Sequence, residues 1–416
     1  MADTGRVTPE EVRRKVGDRV PPGSVVVALS GGADSAVLAW AVCDRPGVTA
    51  VTVDHRLPGS AALVTAAAAI AARLGIPHRV VAVYPRSASE GDLRTVRLVA
   101  LEEAGEGSEW ILTGHTADDQ AETVLGNLLR GAGPGGVAGI PPRRGRFVRP
   151  LLDVSRDDTR RIAGLLGLPF ADDPQNDDPA IRRNRLRAET IPALAAVYNP
   201  GLRDALLRTA RFAAADDEVL DRRASRVPLR RDEEAVLIPA AALASLPVAV
   251  AGRVVRRALR SLRGPHAGDG ASVEAVIAAA VGRGVSTLRG GLDARREGPW
   301  VVVAGPPPPP PAQVVLTTPG TAQFGPWTIT AGSGGVPVPV AGPVVVRAAR
   351  AGDRIDIGSG SKGVAEALRE AGVPVRLRLR WPVVEERGRI AWVVGVRVAP
   401  TVAGPSVSMS ATRELR

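Results

Sequence analysis

A short apolar run, Ser24–Leu29, leads directly into Ser30-Gly31-Gly32-Ala33-Asp34-Ser35, and an apolar, helix-forming stretch follows from Ser35 to Val42. This order of strand, glycine pair and helix suits a phosphate. Glycines let the backbone come close to an anion, and a helix N-terminus presents free N–H groups at the positive end of its dipole. Ser30 and Ser35 add hydroxyl donors. Asp34 would repel phosphate on its own, so its expected work is to hold Mg²⁺ against it. The plainer alternative is a glycine turn with Asp34 at a helix start. The loop is neither the lysine-containing phosphate loop of other nucleotidases nor the spaced-glycine turn of dinucleotide binders.

Such a loop needs a sheet to carry it. The first half of the chain alternates strand-like and helix-like segments. Strands are expected at Ser24–Leu29, Val48–Val53, Arg79–Val83 and Trp110–Thr113. Helices are expected at Ala61–Leu74, about Asp92 to Glu103, and Asp118–Arg130. Alternation at this spacing predicts a Rossmann-like α/β domain with a doubly wound parallel sheet. From about Asn199 to Arg263 the periodicity turns helical and arginine-rich, with a further helix near Ser272–Val281. Short strands are expected over Gly298–Thr330, interrupted by the stiff proline run Pro306–Pro311. The tail, Val344–Pro400, reads as a small α+β domain with a helix at Gly363–Ala371. The expected domains are a catalytic one over 1–195, a helical one over 196–300, a β-rich connecting segment over 301–343, and a C-terminal one over 344–416.

Composition sets further bounds. The chain has 416 residues and a formal net charge of +11, which favours polyanionic partners through counterion release. Lysine occurs only at Lys15 and Lys362, so phosphate contacts must come from arginine and backbone N–H groups. Cys43 is the single cysteine, which excludes a disulfide framework and a cysteine-rich metal site. The charged stretch Met1–Lys15 lacks an apolar signal core, and no apolar run of the ~20 residues needed to span a bilayer escapes an Arg or Pro. The expectation is a cytoplasmic protein with no membrane partner.

The six-residue loop resembles the pyrophosphate-binding loop of the N-type ATP pyrophosphatases, which cleave ATP between its α- and β-phosphates. Val53-Asp54-His55 is similar to the segment beside the nucleotide in that family. Gly114-His115-Thr116-Ala117-Asp118-Asp119-Gln120-Ala121-Glu122-Thr123, followed by Asn127-Leu128-Leu129-Arg130-Gly131 and Gly139-Ile140-Pro141-Pro142, resembles the tRNA(Ile)-lysidine synthetases. So do Arg149-Pro150-Leu151-Leu152, Asp173-Pro174-x-Asn176 and Arg183-Asn184-Arg185-x-Arg187. In the tail, Gly352-Asp353-Arg354 and Arg380-Trp381-Pro382-Val383 resemble that family's C-terminal domain. The resemblance departs at two places: Asp54–Ser60 is one residue short, and the segment before Arg94 and Arg97 is shortened, with Leu98 where an aromatic is usual.

The resemblance implies a two-step reaction on an isoleucine tRNA with a CAU anticodon. ATP adenylates the C2 oxygen of the wobble cytosine, and the amine of free L-lysine then displaces AMP to give lysidine. It implies ATP and Mg²⁺ as the cofactors, a nucleotide site of Ser30–Ser35, Asp54, His55, Gly114 and His115, and metal at Asp34. Asp118 and Asp119, with Glu122 one helical turn on, suit ammonium binding and proton removal, the three roles not being separable. Arg187, with Arg183 and Arg185, is expected at ATP phosphates or the tRNA backbone, the alternative being a helix face ion-paired to Asp172 and Asp173. Arg94, Arg97, Arg130 and Arg380 complete the expected tRNA or lysine contacts, and His115 either supports the site or packs under it. A homodimer is compatible with all of this. Two rivals stand beside it: a sulfur-inserting tRNA enzyme on the same fold, which Cys43 alone serves poorly, and a catalytically impaired tRNA-binding paralogue.

Overall fold

The computed structural model describes residues 7–84, 87, 90–173, 175, 178, 180–232, 234–264, 267–282, 284–400 and 405–414. Pro174 and Asn176 of the expected motifs, and residues 1–6 of the charged N-terminal stretch, lie outside them. The chain forms two compact units, Met1–Val219 and Leu220–Arg416.

In the first unit, helix α1 (Pro9–Arg19) opens on a capping box, with Thr8 and Glu11 satisfying each other's backbone N–H groups. Strands β1 (Val25–Ala28), β2 (Val48–Asp54), β3 (His78–Ala82), β4 (Trp110–Leu112), β5 (Arg143–Arg144) and β6 (Phe147–Val148) make one sheet of order β3-β2-β1-β4-β6-β5. All its pairings are parallel except β5 with β6. Between the strands run α2 (Ala33–Val42), α3 (Ser60–Leu74), α4 (Glu90–Ala104), α5 (Ala117–Leu129) and α6 (Pro134–Val137), and α7 (Arg156–Leu165) follows the last strand. The doubly wound sheet expected from the alternation is therefore present.

Burial explains the valine run of β1. Val25, Val27 and Leu29 face a core shared with α1, α2, α3 and α7, whereas Val26 faces a second core with Val51, Leu101, Ile111 and Phe147. A strand covered on both faces reads as continuously apolar. Helix α2 is apolar nearly all round because it is buried nearly all round. The chain leaves β1 for β2 on one side and returns to β4 on the other. That reversal opens a crevice at the carboxyl ends of β1 and β4, where open α/β sheets place their ligands. Helices α8 (Arg182–Arg185) and α9 (Ile191–Val197) flank a π-helical turn at Leu186–Thr190, and α10 (Leu202–Ser225) closes the unit against Ala121 and Val124 of α5.

The second unit holds the expected helices, α11 (Ala240–Ser245), α12 (Val248–Arg263) and α13 (Gly270–Ala278), but they do not stand alone. They pack on an antiparallel sheet of β7 (Arg230–Asp232), β8 (Ala235–Pro239), β9 (Val285–Leu288), β10 (Leu292–Glu297) and β11 (Trp300–Ala304). The region is α+β, and the tight turns that build its hairpins run through Gly290, Gly291 and Gly298, all at positive φ. The connecting segment expected over 301–343 is divided among three sheets. Trp300–Ala304 belongs to the first, while Val314–Leu316 pairs with Val344–Val346 and Trp327–Val338 pairs with Val407–Arg413. A boundary at 343/344 therefore cuts through backbone hydrogen bonds and a shared core. The tail's helix runs Val364–Glu370, close to its expected position.

Candidate active site

The loop Ser30–Ser35 sits at the carboxyl end of β1, at the crevice. Ser35 Oγ donates to the Gly32 carbonyl at 2.9 Å and accepts the Ser30 N–H at 3.1 Å. The two serine hydroxyls lie 3.0 Å apart. Gly31 has φ +88°, and a Cβ there would stand 2.2 Å from the Leu63 carbonyl oxygen, so only glycine fits. Gly32 caps α2 without a side chain, and Ala33 follows as its first residue. The first N–H groups of α2 thus gain no side-chain cap from Gly32, as an anion site requires. Gly114, at the end of β4, presses on the same turn. A Cβ on it would approach Ser35 N to 3.1 Å and the Asp34 carbonyl carbon to 3.2 Å.

Three helix starts converge here. Helix α5 begins at Thr116, whose backbone N–H donates to Asp119 Oδ2 at 2.7 Å and whose hydroxyl donates to the same oxygen at 3.0 Å. Helix α7 begins at Ser155, and the backbone N–H of its first residue, Arg156, donates to Asp118 Oδ2 at 2.7 Å. The Arg156 side chain then joins the two halves of the site. It donates to Asp119 Oδ1 at 2.9 Å, and its nitrogens lie 3.5 Å from Asp34 Oδ2 and 3.6 Å from Glu122 Oε1. Thr159, one turn along α7, donates its hydroxyl to the other oxygen of Asp34.

Arg183 and Arg187 reach the acidic helix from the far side. Their spacing, carried through the π-helical turn, puts both on Glu122: Nε of each donates to a different carboxylate oxygen at 2.6 Å. Arg183 also donates to Asp119 Oδ1 at 2.6 Å. Glu122 is buried, its side chain 2% exposed. Burial alone would raise the Asp119 carboxyl. Arg183, Arg156 and the Thr116 N–H together outweigh it and hold Asp119 below the usual carboxylate range. At Asp34 burial wins, and its proton affinity is raised despite Thr159 and Arg156. The geometry puts Arg183 and Arg187 on Asp119 and Glu122 of α5. Asp172 takes a bidentate pair from Arg160, at 2.7 and 2.8 Å.

Beside the carboxylates lies a cluster of basic side chains. His115 Nδ1 is 2.9 Å from the Thr113 hydroxyl. Burial, with Arg97, Arg149 and Arg183 nearby, pushes the imidazole down to about 3 against the pull of Asp119, so it is neutral at physiological pH. Arg149 is 4% exposed, donates to the Pro141 carbonyl at 2.9 Å, and is pushed down to about 10 by burial and by Arg94, Arg144 and Arg97. His55 is also lowered, by burial and then by Arg97. Arg94 and Arg97 thus act on the same basic cluster from α4. Asp54 accepts the Arg56 N–H at 2.9 Å and pairs with the Arg56 Nε at 3.1 Å.

Other expected residues fall elsewhere. Arg185 is exposed, with its neighbours Arg183 and Arg187 taking the inner positions. Arg130 ends α5 at the opposite end from Asp118, donating to Asn127 at 2.6 Å. Arg380 belongs to the second unit, where it donates to the Pro308 carbonyl at 3.4 Å. Conversely, Arg156, Thr159 and Arg203 had no expected role. A signal for Arg156 existed: Ser155 three residues before Asp158 marks a helix start, and a cation in the first turn opposes the helix dipole unless carboxylates surround it.

Asp34 suits Mg²⁺ by its chemistry. Magnesium takes one or two carboxylates plus phosphate oxygens and water rather than an all-protein cage. Among the described residues there is no group of three or more His, Cys, Asp or Glu that could hold a metal ion.

A parallel sheet with a Ser-Gly-Gly-x-Asp-Ser turn at its switch point defines an ATP-using PP-loop protein, and the PP-loop domain family matches residues 9–194. A second family, the TilS substrate C-terminal domain, matches residues 344–409. A tRNA(Ile)-lysidine synthase of Salinispora tropica is 44% identical over 298 residues, covering 66% of this chain and 89% of that protein. Those of Thermobifida fusca (42% over 258 residues, 59% and 79% covered) and Solibacter usitatus (32% over 407 residues, 88% and 92% covered) are also similar. The chain belongs to the tRNA(Ile)-lysidine synthase family. The sulfur-inserting and impaired-paralogue readings are not favoured by these relatives. Among the described residues no helix is long and apolar enough to cross a membrane.

Proposed function

We propose that this chain is a C–N bond-forming ligase that converts the wobble cytidine of a CAU-anticodon tRNA(Ile) to lysidine, using ATP and free L-lysine. The observation that carries this reading is the Arg156 guanidinium, which touches both Asp34 of the nucleotide loop and Asp119 of the acidic helix. A nucleotide-activating centre and a cation-binding centre are therefore one site.

In the first step the cytosine C2 oxygen attacks the α-phosphorus of ATP and pyrophosphate leaves. The α2 N-terminus and the Ser30 and Ser35 hydroxyls hold the leaving phosphates, with donors fixed before the charge develops. Asp34 would hold magnesium, which supplies neutralisation of the pyrophosphate charge. Arg94, Arg97 and Arg149 form the cationic wall that suits the phosphate remaining on the base. In the second step lysine's amine attacks C2 and AMP departs. The oxygens of Asp119 and Glu122 are taken up by Arg156, Arg183 and Arg187. Asp118 is the most open of the three carboxylates, with Arg203 at 3.6 Å, and is assigned as acceptor of the amine's proton.

The test separates the two steps. With Asp118→Asn, pyrophosphate release is expected to persist while lysine incorporation falls at least about 100-fold, the scale of general-base loss, and adenylated tRNA accumulates. With Asp34→Ala, pyrophosphate release is expected to stop while tRNA affinity stays within a few-fold. Loss of both steps in Asp118→Asn would refute the assignment of the base.

A further inference from the structure

Each carboxylate of the acidic cluster already has a cationic partner. Asp34, Asp118, Asp119 and Glu122 face Arg156, Arg183, Arg187 and Arg203, each carboxylate within 4 Å of at least one guanidinium. A lysine ammonium entering this cluster would bring an uncompensated positive charge, and burying one without a partner is strongly disfavoured. One of the arginines must therefore give way. Arg183 and Arg187 are each fixed on Glu122 by an Nε–H bond of 2.6 Å. Arg156 is held differently. It is spread over three carboxylates at 2.9 to 3.6 Å, its Nη1 is buried without a hydrogen-bond partner, and it reaches Asp34 of the nucleotide loop.

We propose that Arg156 is a place-holding cation that competes with substrate lysine for Asp119 and Glu122, and that ATP relieves this competition by drawing the guanidinium toward its phosphates. This rests on the lysine site proposed above and deepens it. The backbone of Arg156 is pinned to Asp118, so the side chain swings about a fixed anchor. Its path leads from Asp119 past Asp34, the residue beside the phosphate loop. Leaving Asp119 one cation short creates the charge that lysine's ammonium fills. The consequence is order: lysine binds well only after nucleotide, and an amine is not drawn in before there is an activated base to attack. Coupling of this kind is reciprocal, so lysine must tighten nucleotide binding by the same factor.

The experiment is calorimetric titration of L-lysine into the full-length protein, alone and saturated with magnesium and a nonhydrolysable ATP analogue. The wild type is expected to bind lysine about tenfold tighter with the analogue, a coupling of ~1.4 kcal/mol. Arg156→Gln is expected to bind lysine equally well in both conditions, within about twofold, and near the tight wild-type value. Arg156→Lys, which keeps the charge, is expected to retain the coupling, and circular dichroism of both variants checks the fold. Full coupling in Arg156→Gln, no coupling in the wild type, or loss of lysine binding in a folded Arg156→Gln would overturn the proposal. Failure of the underlying site reads out separately, as wild-type affinity for lysine surviving Glu122→Gln.

Discussion

Glu122→Gln is the substitution whose outcome follows most directly from the geometry. It keeps the shape of a side chain that is 2% exposed but removes the charge between two guanidinium groups donating at 2.6 Å. At an effective dielectric constant near 20, each charge pair about 4 Å apart is worth ~4 kcal/mol gross, most of it offset by the cost of taking the ions out of water. Breaking a buried pair from one side costs about 3–5 kcal/mol. Arg183 and Arg187 remain about a quarter exposed, and Arg183 keeps Asp119 as a partner. Water and that partner reduce the expected loss to about 2–3 kcal/mol. For a folding unit of this size, each kcal/mol moves the melting temperature by roughly 2–4 °C, so a fall of about 4–12 °C is expected. Calorimetry of Glu122→Gln, Arg187→Met and the double variant measures it, with a coupling between the two sites of at least about 1 kcal/mol. A Glu122→Gln melting temperature within about a degree of wild type would refute the view that these arginines depend on it.

Three further outcomes follow from particular contacts. Gly31→Ala forces a Cβ to 2.2 Å from the Leu63 carbonyl at a left-handed φ, and is expected to abolish nucleotide binding, measured by filter retention of labelled ATP, while the far-UV spectrum is kept. His115, pushed from 6.5 to about 3, stays neutral when folded but protonates on unfolding, so its contribution is complete above pH 6.5 and is lost as pH falls toward 3. His115→Gln should therefore lose less stability than wild type between those limits in urea titrations, and equal slopes would contradict this. Truncation after Gly342 strips the partners of Val314–Leu316 and Trp327–Val338, so it is expected to lower the melting temperature and expose apolar surface to dye, rather than only weaken tRNA binding.

How far the sequence carried is clearest residue by residue. The valine run of β1, the glycine pair and the alternation behind them were legible because a sheet buried on both faces leaves an apolar signature and a phosphate turn leaves a glycine one. Of the sheet under α12 only β11 fell among the strands expected from Gly298 on; β7 and β10 are short and charged, with Arg295, Arg296 and Glu297 inside β10, and β8 and β9 are too short to stand out beside the helices. In the site, the carboxylates and Arg183 were visible as a helix start and a resemblance. The role of Arg156 was not, since it depends on α7 docking its first turn against Asp118, a contact between residues 38 apart. The ion pairing that ties up Asp119 and Glu122, and so distinguishes them from Asp118, is likewise a property of three helices meeting.

Nucleotide activation and lysine capture are proposed to share one site on a tRNA substrate. Incubating the full-length protein with ATP, magnesium, labelled L-lysine and a CAU-anticodon tRNA(Ile) tests it, with the wobble nucleoside then digested out and weighed. This cytidine is expected to gain one lysine less one water, with one AMP and one pyrophosphate released per lysine incorporated. Pyrophosphate release without lysine on the nucleoside, or a gain of sulfur in its place, would contradict it.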